Sequence, residues 1–155
     1  MQTKPIGKIH VVDPSPLNWL FVLFNTMEEL VRADREGYIT PSLASNFEWI
    51  NDTTLEVTLR NGVSFHNGKQ FTAHHLARSF VEEQRWRSPH PPGTWLNVSR
   101  ETELEVVDDF TVRFIFPKPD GLVKGKMRAI HIGNDLFWNT LGFGYAKERS
   151  GEGRW

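Results

Sequence analysis

Histidines are the side chains of this sequence best suited to metal binding or proton transfer. They stand at His10, His66, His74, His75, His90 and His131. His74 and His75 are adjacent, so on a helix their side chains diverge by about a quarter turn and do not chelate one ion in the usual way. We interpret this pair as structural or surface residues and His66 as a hydrogen-bonded turn histidine. A metal-dependent enzyme that uses His66 and His90 is kept as a third hypothesis, which metal analysis of the purified chain would test.

Carboxylates occur as three doublets, Glu28-Glu29, Glu82-Glu83 and Asp108-Asp109. Each doublet falls on a predicted polar face or turn, so we interpret them as solvated charges rather than as the spaced pair of a glycosidase. The chain has no cysteine, which excludes disulfides, zinc–thiolate sites and thiol nucleophiles. It has no G-x-S-x-G elbow, phosphate loop, G-x-G-x-x-G fingerprint or H-E-x-x-H either. We therefore expect a protein without catalytic residues, metal or cofactor.

Aromatic residues make up 12% of the chain, with six Trp and 11 Phe. They are interpreted mainly as core residues, and the alternative is that some stack on a ligand in a cleft. The region 86–95 is aromatic and flanked by arginines, a mixture that single-strand nucleic-acid binders use. Neighbouring glutamates cancel this local field and the net charge is -1, so no nucleic-acid partner is expected.

Two hairpins are the clearest elements of the sequence. Polar and apolar residues alternate over residues 54–59, which predicts a half-buried strand paired with residues 47–50 through an Asn-Asp-Thr turn. Residues 103–107 and 111–116 repeat this arrangement. Asn61-Gly62 and Asn67-Gly68 predict two further tight turns. A short strand over residues 6–12 is expected to end at Pro14 and Pro16, and Pro41 is expected to open a helical turn.

Apolar residues at three- and four-residue steps predict helices over residues 18–31 and 73–87, with Thr72 as the N-cap of the second. The inner stripe of this second helix is predicted to comprise Leu76, Phe80, Val81 and Gln84. Residues 134–141 are predicted as a third helix with Asn134 as its cap. Because hairpins dominate over βαβ crossovers, we expect an α+β or mixed α/β fold with a mainly antiparallel sheet and packed helices. One domain over residues 1–141 and a loose tail over 142–155 are expected.

A family resemblance appears between residues 38 and 80. The chain reads P-S-L-A at 41–44, L-R-N-G-V-S-F-H-N-G at 59–68 and T-A at 72–73, with Ser79 beyond. This resembles the signature region of family 5 extracytoplasmic solute-binding proteins, which serve peptide and nickel ABC importers. V-D-P at 12–14 and M-E-E-L-V at 27–31 resemble the upstream elements of that family. Asn67 and His74-His75 stand where the family has acids, which leaves the subfamily open.

The resemblance implies a partial lobe of a periplasmic binding protein type II-like fold. It implies non-catalytic capture of a small, oligopeptide-type solute and its transfer to ABC permease subunits, in the periplasm or another extracytoplasmic space. In this family the loop after the second long helix approaches the ligand, which implies His90, Thr94 and Trp95 as binding residues. Trp95 would stack on the solute, and the alternative is that it fills the subdomain core. Ser15 and Asn18 form a second candidate edge.

The chain is expected to be an N-terminal piece of such a protein that ends before the second lobe, as a truncated chain, a gene fragment or a short paralogue. Residues 1–8 lack the apolar segment of a secretory signal. Because one lobe presents only half a cleft, weak or undetectable solute binding is predicted for this chain alone. The alternative function is a sensor or regulatory module built on a solute-binding-like domain. A basic winged-helix segment would favour that alternative, and none occurs here.

Overall fold

A computed structural model of the chain describes Gly7 and residues 26–84 and 98–140. The strands of this part are β1 (Val31–Ala33), β2 (Ile39–Pro41), β3 (Ala44–Asn51), β4 (Thr54–Leu59), β5 (Glu103–Asp108) and β6 (Thr111–Ile115). Its helices are α1 (Ala73–Gln84), α2 (Val123–Lys126) and α3 (Asp135–Thr140), with a 3-10 turn at Met127–Ala129. None of the described helices has both the length and the apolar character needed to cross a membrane.

A four-stranded antiparallel sheet carries the fold, in the order β3-β4-β6-β5. Leu55, Val57 and Leu59 of β4 point inward and are buried, while the residues between them are only half-buried. This is the alternation that predicted the strand. The β3–β4 turn is closed by the Asn51 side chain, whose Oδ1 accepts a hydrogen bond from the Thr53 backbone N–H at 2.9 Å. Both predicted hairpins and the mainly antiparallel sheet are confirmed.

The small β1–β2 hairpin precedes this sheet and overturns two predictions. The predicted helix over residues 18–31 is wrong in its last part, because Val31 begins β1 and pairs with Pro41. The helical turn predicted at Pro41 is wrong as well, because Pro41 ends β2. The Leu30 carbonyl accepts hydrogen bonds from the Ser42 and Ala44 N–H groups, which draws the chain directly from β2 into β3.

Helix α1 packs its apolar stripe against the inner face of the sheet. Leu76 and Phe80 are buried as predicted, and the Phe80 ring meets the Phe114 ring edge to face at 5.4 Å between centroids. Val81 was predicted in this stripe and is 56% exposed, so that prediction is wrong. Its position on the helix turns it away from the sheet. The buried Glu83 also contradicts the prediction that both residues of its doublet are solvated.

Capping predictions for α1 and α3 are confirmed. The Thr72 carbonyl accepts from the His75 N–H at 3.0 Å as α1 begins. The Asn134 Oδ1 accepts from the Phe137 N–H at 2.8 Å and starts α3. The predicted strand over residues 6–12, the helix over 18–25 and the tail over 142–155 lie outside the described residues, apart from Gly7.

Candidate functional site

A groove of about 550 Å³ lies beside the β1 strand, between the residues before β1, a loop after β4 and the residues before α3. Its apolar lining includes Leu43, Val63, Phe65, Phe71, Ile132 and Phe137. Polar groups of Glu28, Arg32, Ser64, His66 and Asn134 also line it. Apolar walls with a few polar groups are typical of ligand sites in proteins, and this volume falls in their usual range.

The loop after β4 is a miniature hairpin that forms one wall of the groove. Ser64 pairs with Gln70 in an isolated antiparallel bridge. The Phe65 N–H donates to the Lys69 carbonyl at 2.9 Å, and the Phe71 N–H donates to the Val63 carbonyl at 2.8 Å. Gly68 turns this hairpin with φ of 82°, a left-handed conformation that glycine adopts without strain. The two glycine turns predicted in this region are therefore both confirmed, since Gly62 has φ of 77°.

Rings anchor this hairpin to the start of α1. Phe65 lies edge to face with Phe71 at 6.0 Å and 4.9 Å from the His75 ring. The Thr72 N–H donates to His75 Nδ1 at 3.2 Å, so His75 occupies the position that Glu or Gln takes in a capping box. Burial lowers the pKa of His75, and the nearby Asp135 carboxylate opposes that effect. His75 is thus structural, as predicted, and holds one groove wall in place.

A second wall contains residues 132–134, which are fixed to α1 by a seam of polar contacts. The Ser79 hydroxyl oxygen accepts from the Gly133 N–H at 3.1 Å and from Trp138 Nε1–H at 3.0 Å. Arg78 adds an ion pair with Asp135 at 3.1 Å. These donors and acceptors satisfy one another inside the protein, so the seam fixes the angle between α1 and the residues before α3.

A carboxylic acid and an imidazole end this seam. Glu83 is fully buried, and its Oε1 accepts from the His131 backbone N–H at 2.7 Å. Its Oε2 has no hydrogen-bond partner among the described residues. Burial raises the pKa of Glu83 well above its usual value, partly opposed by the His131 N–H. Burial lowers the pKa of His131 to about 4, and the hydrogen bond to the Ala129 carbonyl acts against this. Burial therefore favours the neutral form of both groups.

The charged side chains that line the groove are Glu28 and Arg32, and the buried Glu29 carboxylate lies next to Arg32. The Arg32 guanidinium lies 3.5 Å from the buried Glu29 carboxylate and 3.8 Å from that of Glu28. Burial raises the pKa of Glu29, while Arg32 acts to lower it. Glu28 is half exposed. This corrects the prediction for the doublet, since only one of its two carboxylates is solvated.

Metal chemistry finds no support in the described part of the chain, where no group of three or more His, Asp or Glu side chains is arranged to hold an ion. His66 lies exposed on the groove wall, and its side chain has no hydrogen bond to other described residues, so its predicted hydrogen bond is absent there. Asp108 and Asp109 are exposed at the β5–β6 turn, as predicted.

The residues that the resemblance implied for solute binding lie outside the described residues. This holds for Ser15, Asn18, His90, Thr94 and Trp95 alike. The groove residues were not predicted as a site, because the alternation of V-S-F-H at 63–66 indicated only a brief strand. In that strand Ser64 is exposed between two half-buried apolar residues. This polar residue within an apolar alternation is the sequence feature that indicates an exposed strand edge.

The fold, with its mixed α/β architecture and antiparallel sheets, is that of a part of a type II periplasmic binding protein. Residues 38–147 match the bacterial extracellular solute-binding proteins, family 5 Middle, and the chain belongs to this family. The family consists of solute-binding components of ABC importers, so the family prediction made from residues 38–80 is confirmed. A comparison with curated proteins gives no match.

Solved structures similar to this chain support the same fold. OppA of Haemophilus influenzae, in complex with the peptide RPPGFSPFR, has a TM-score of 0.68 at 20% identity over 81% of this chain and 28% of its own. AgaA from A. tumefaciens R10, with agropinic acid, has a TM-score of 0.65 at 20% identity over 76% and 24%. An ABC transporter substrate-binding protein from Sinorhizobium meliloti reaches 27% identity over 72% and 23%, with a TM-score of 0.58. The chain thus spans about a quarter of the length of these proteins.

Proposed function

We propose that this chain supplies one side of the solute-binding cleft of an ABC import system and captures its solute without making or breaking a bond. The observation that carries this proposal is the family match over residues 38–147. Closing two lobes around a solute expels water and strengthens the polar contacts made to it. The chain, taken as residues 1–141 with a tail at 142–155, contributes to one lobe of this arrangement.

The proposed solute is of the oligopeptide type. Two similar structures support this choice, the OppA complex with RPPGFSPFR and the AppA complex of Bacillus subtilis with a nonapeptide. The proposed contacts are stacking by Trp95, hydrogen bonding by Thr94 and a polar contact from His90, with Ser15 and Asn18 on a second edge. ABC permease subunits are the proposed partners, and the proposed location is the periplasm or another extracytoplasmic space.

Calorimetry and NMR spectroscopy of the purified chain test this function. We expect no heat of binding with a peptide pool at micromolar concentration, because only half of the cleft is present. At millimolar peptide, the indole N–H signal that disappears in Trp95→Phe should shift. The signal that disappears in Trp49→Phe serves as the matched control, since Trp49 is 40% exposed on the edge strand β3, and should not move.

Three results would contradict the proposal. Micromolar affinity in the isolated chain would show a complete site and not half a cleft. Peptides recovered with altered masses would show catalysis. A Trp95 signal that stays in place at millimolar peptide would remove this residue from the cleft.

A further inference from the structure

The hairpin wall of the groove has an open backbone edge. The hydrogen bonds between Phe65 and Lys69 and between Phe71 and Val63 flank the Ser64–Gln70 bridge. In an antiparallel pair, residues flanked in this way turn their own N–H and C=O groups away from the partner strand. Neither backbone group of Ser64 has a hydrogen-bond partner among the described residues. Ser64 therefore offers one donor and one acceptor, spaced for an added strand.

The floor beside this edge suits an apolar side chain. Phe71 and Ile132 are buried, while Phe65 and Phe137 are half-buried and line the groove from two separate segments of the chain. Two aromatic rings in one lining give a large apolar contact area for an inserted side chain. A peptide in extended form presents alternate side chains to one face, so one of them would enter here while its backbone pairs with Ser64.

The Glu28 position of the groove favours a cation over an anion. Among the described residues, Arg32 is the one ion-pair partner of Glu28, at 3.8 Å, and it lies closer to the buried carboxylate of Glu29. The half-exposed Glu28 carboxylate is thus weakly paired at the end of the groove. An ammonium group placed there would gain a charge-assisted hydrogen bond, whereas a carboxylate would meet repulsion.

We propose that this groove is a peptide-binding site within the chain itself, separate from the cleft that two lobes share. A short peptide adds as a strand to the Ser64 edge and places an apolar side chain between Phe65 and Phe137. Its free N-terminal ammonium lies against Glu28. The site uses none of the residues proposed for the shared cleft. With so few contacts, its dissociation constant is expected to be on the order of millimolar.

The probe is the tetrapeptide amide Ala-Phe-Ala-Ala with a free N-terminus, titrated into the full ¹⁵N-labelled chain at neutral pH. We expect amide shifts at Ser64, His66 and Glu28 that saturate in the millimolar range. N-acetylation of the probe removes the ammonium and should weaken binding about fivefold, as expected for one partly exposed ionic contact. Two further analogues of the probe are N-methylated, one at the second residue and one at the third. The analogue that loses its hydrogen bond to Ser64 should bind about three- to tenfold more weakly.

Chain variants separate the charge from the strand addition. Glu28→Gln should weaken the free-ammonium probe to the level of the acetylated one and leave the acetylated probe unchanged. Glu36→Gln, which alters an exposed glutamate in the β1–β2 turn, is the matched control and should change neither. The shifts at Ser64 should persist in Trp95→Phe, so failure of this site and failure of the shared cleft are distinguished.

Three outcomes would overturn the proposal. Equal affinity for the free, acetylated and methylated probes would reduce the groove to an unselective apolar pocket. Absence of shifts around Ser64 at millimolar probe would show that no peptide adds to this edge. Shifts at Ser64 that follow protein concentration without any probe would show that a second copy of the chain covers the groove.

Discussion

Replacing Glu83 by glutamine tests how the buried end of the α1 seam depends on pH. Glu83 is fully buried, its Oε1 holds the His131 N–H at 2.7 Å, and its Oε2 has no hydrogen-bond partner among the described residues. An ionised carboxylate there would keep a buried charge, and among the described residues the titratable group that lies beside it is the His131 imidazole, at 4.0 Å. The folded protein therefore binds a proton at Glu83 at pH values where the unfolded chain has already lost it.

The direction of each pKa change fixes the pH window. The pKa of Glu83 is raised above 4.5, so its contribution to stability is complete below pH 4.5 and is lost as the pH rises through its folded value. The pKa of His131 is lowered from 6.5 to about 4, so its contribution is complete above pH 6.5 and is lost as the pH falls toward 4. The two effects oppose each other between pH 4.5 and 6.5. His131 titrates in the natural chain and in Glu83→Gln alike, so its contribution cancels when the two proteins are compared.

The expected magnitude follows from one proton. Where the folded state holds the Glu83 proton and the unfolded state does not, the free energy of unfolding falls by about 1.4 kcal/mol per pH unit. Glu83→Gln keeps an oxygen acceptor for the His131 N–H and does not titrate, so this slope should disappear. Below pH 4.5, where the folded and unfolded states both hold the Glu83 proton, the buried amide group of the variant will lower stability by about 1–3 kcal/mol, because its N–H groups replace an atom without a partner. The test therefore depends on how the free energy of unfolding changes with pH, and not on this constant difference in stability between the two proteins.

Urea unfolding followed by circular dichroism, at intervals from pH 4.5 upward, measures this slope. The difference in unfolding free energy between the natural chain and Glu83→Gln should change steadily with pH in favour of the variant. Glu48→Gln, on an exposed position of β3, is the control and should follow the natural chain. Burial also raises the pKa of Glu29, but this contribution is common to both proteins and cancels. Parallel stability curves for the natural chain and Glu83→Gln would refute the reasoning.

Three further substitutions test the seam and the cap by urea unfolding. Ser79→Ala removes the acceptor of the Gly133 N–H at 3.1 Å and one of two acceptors of Trp138 Nε1–H, which keeps the Gly133 carbonyl at 3.1 Å. It should lower the free energy of unfolding by about 1–3 kcal/mol, whereas unchanged stability would show that the Gly133 N–H finds another acceptor. Gly133→Ala would place a Cβ 2.8 Å from Trp138 Nε1. We therefore expect the free energy of unfolding to fall by about 1–3 kcal/mol and the near-UV circular dichroism of tryptophan to change. A spectrum and a stability like those of the natural chain would contradict this close packing. His75→Ala removes the acceptor of the Thr72 N–H and should lower the free energy of unfolding by about 0.5–2 kcal/mol. His75→Gln keeps an acceptor at this position and should recover part of the lost stability. Equal losses in both variants would argue against the cap.

The sheet was predictable because its strands are amphipathic and its turns use side chains that hydrogen-bond locally. Leu55, Val57 and Leu59 alternate with polar residues, and a one-residue slip would expose all three, so the pattern fixes both the strand and its inner face. The end of the first helix was not predictable in the same way. Leu30 and Val31 fit a helical stripe equally well, and contacts with β2 and β3 decide that they leave the helix.

The seam escaped prediction because it is a second, polar stripe on α1. His75, Arg78, Ser79 and Glu83 recur at three- and four-residue steps and share one face of the helix. The polar face of a helix is normally the one in contact with solvent. From the sequence alone these four residues are therefore predicted to be exposed, unless a second polar surface is known to pack against them. That surface, at residues 131–139, is more than 45 positions away along the chain, as the separation between Glu83 and His131 illustrates. Periodicity within one helix holds no information about such a partner.

The seam and the groove share one segment, and this links the fold to the proposed binding. Residues 131–134 accept and donate the hydrogen bonds of Glu83 and Ser79, while Ile132 to Asn134 form a wall of the groove. The other wall is anchored to the first turn of the same helix through His75 and Phe65. Helix α1 therefore sets the distance between the two walls. A substitution of Ser79 or Glu83 should alter peptide binding in the groove even though neither residue lines it, whereas a loss of stability alone would leave the affinity of the remaining folded chain unchanged.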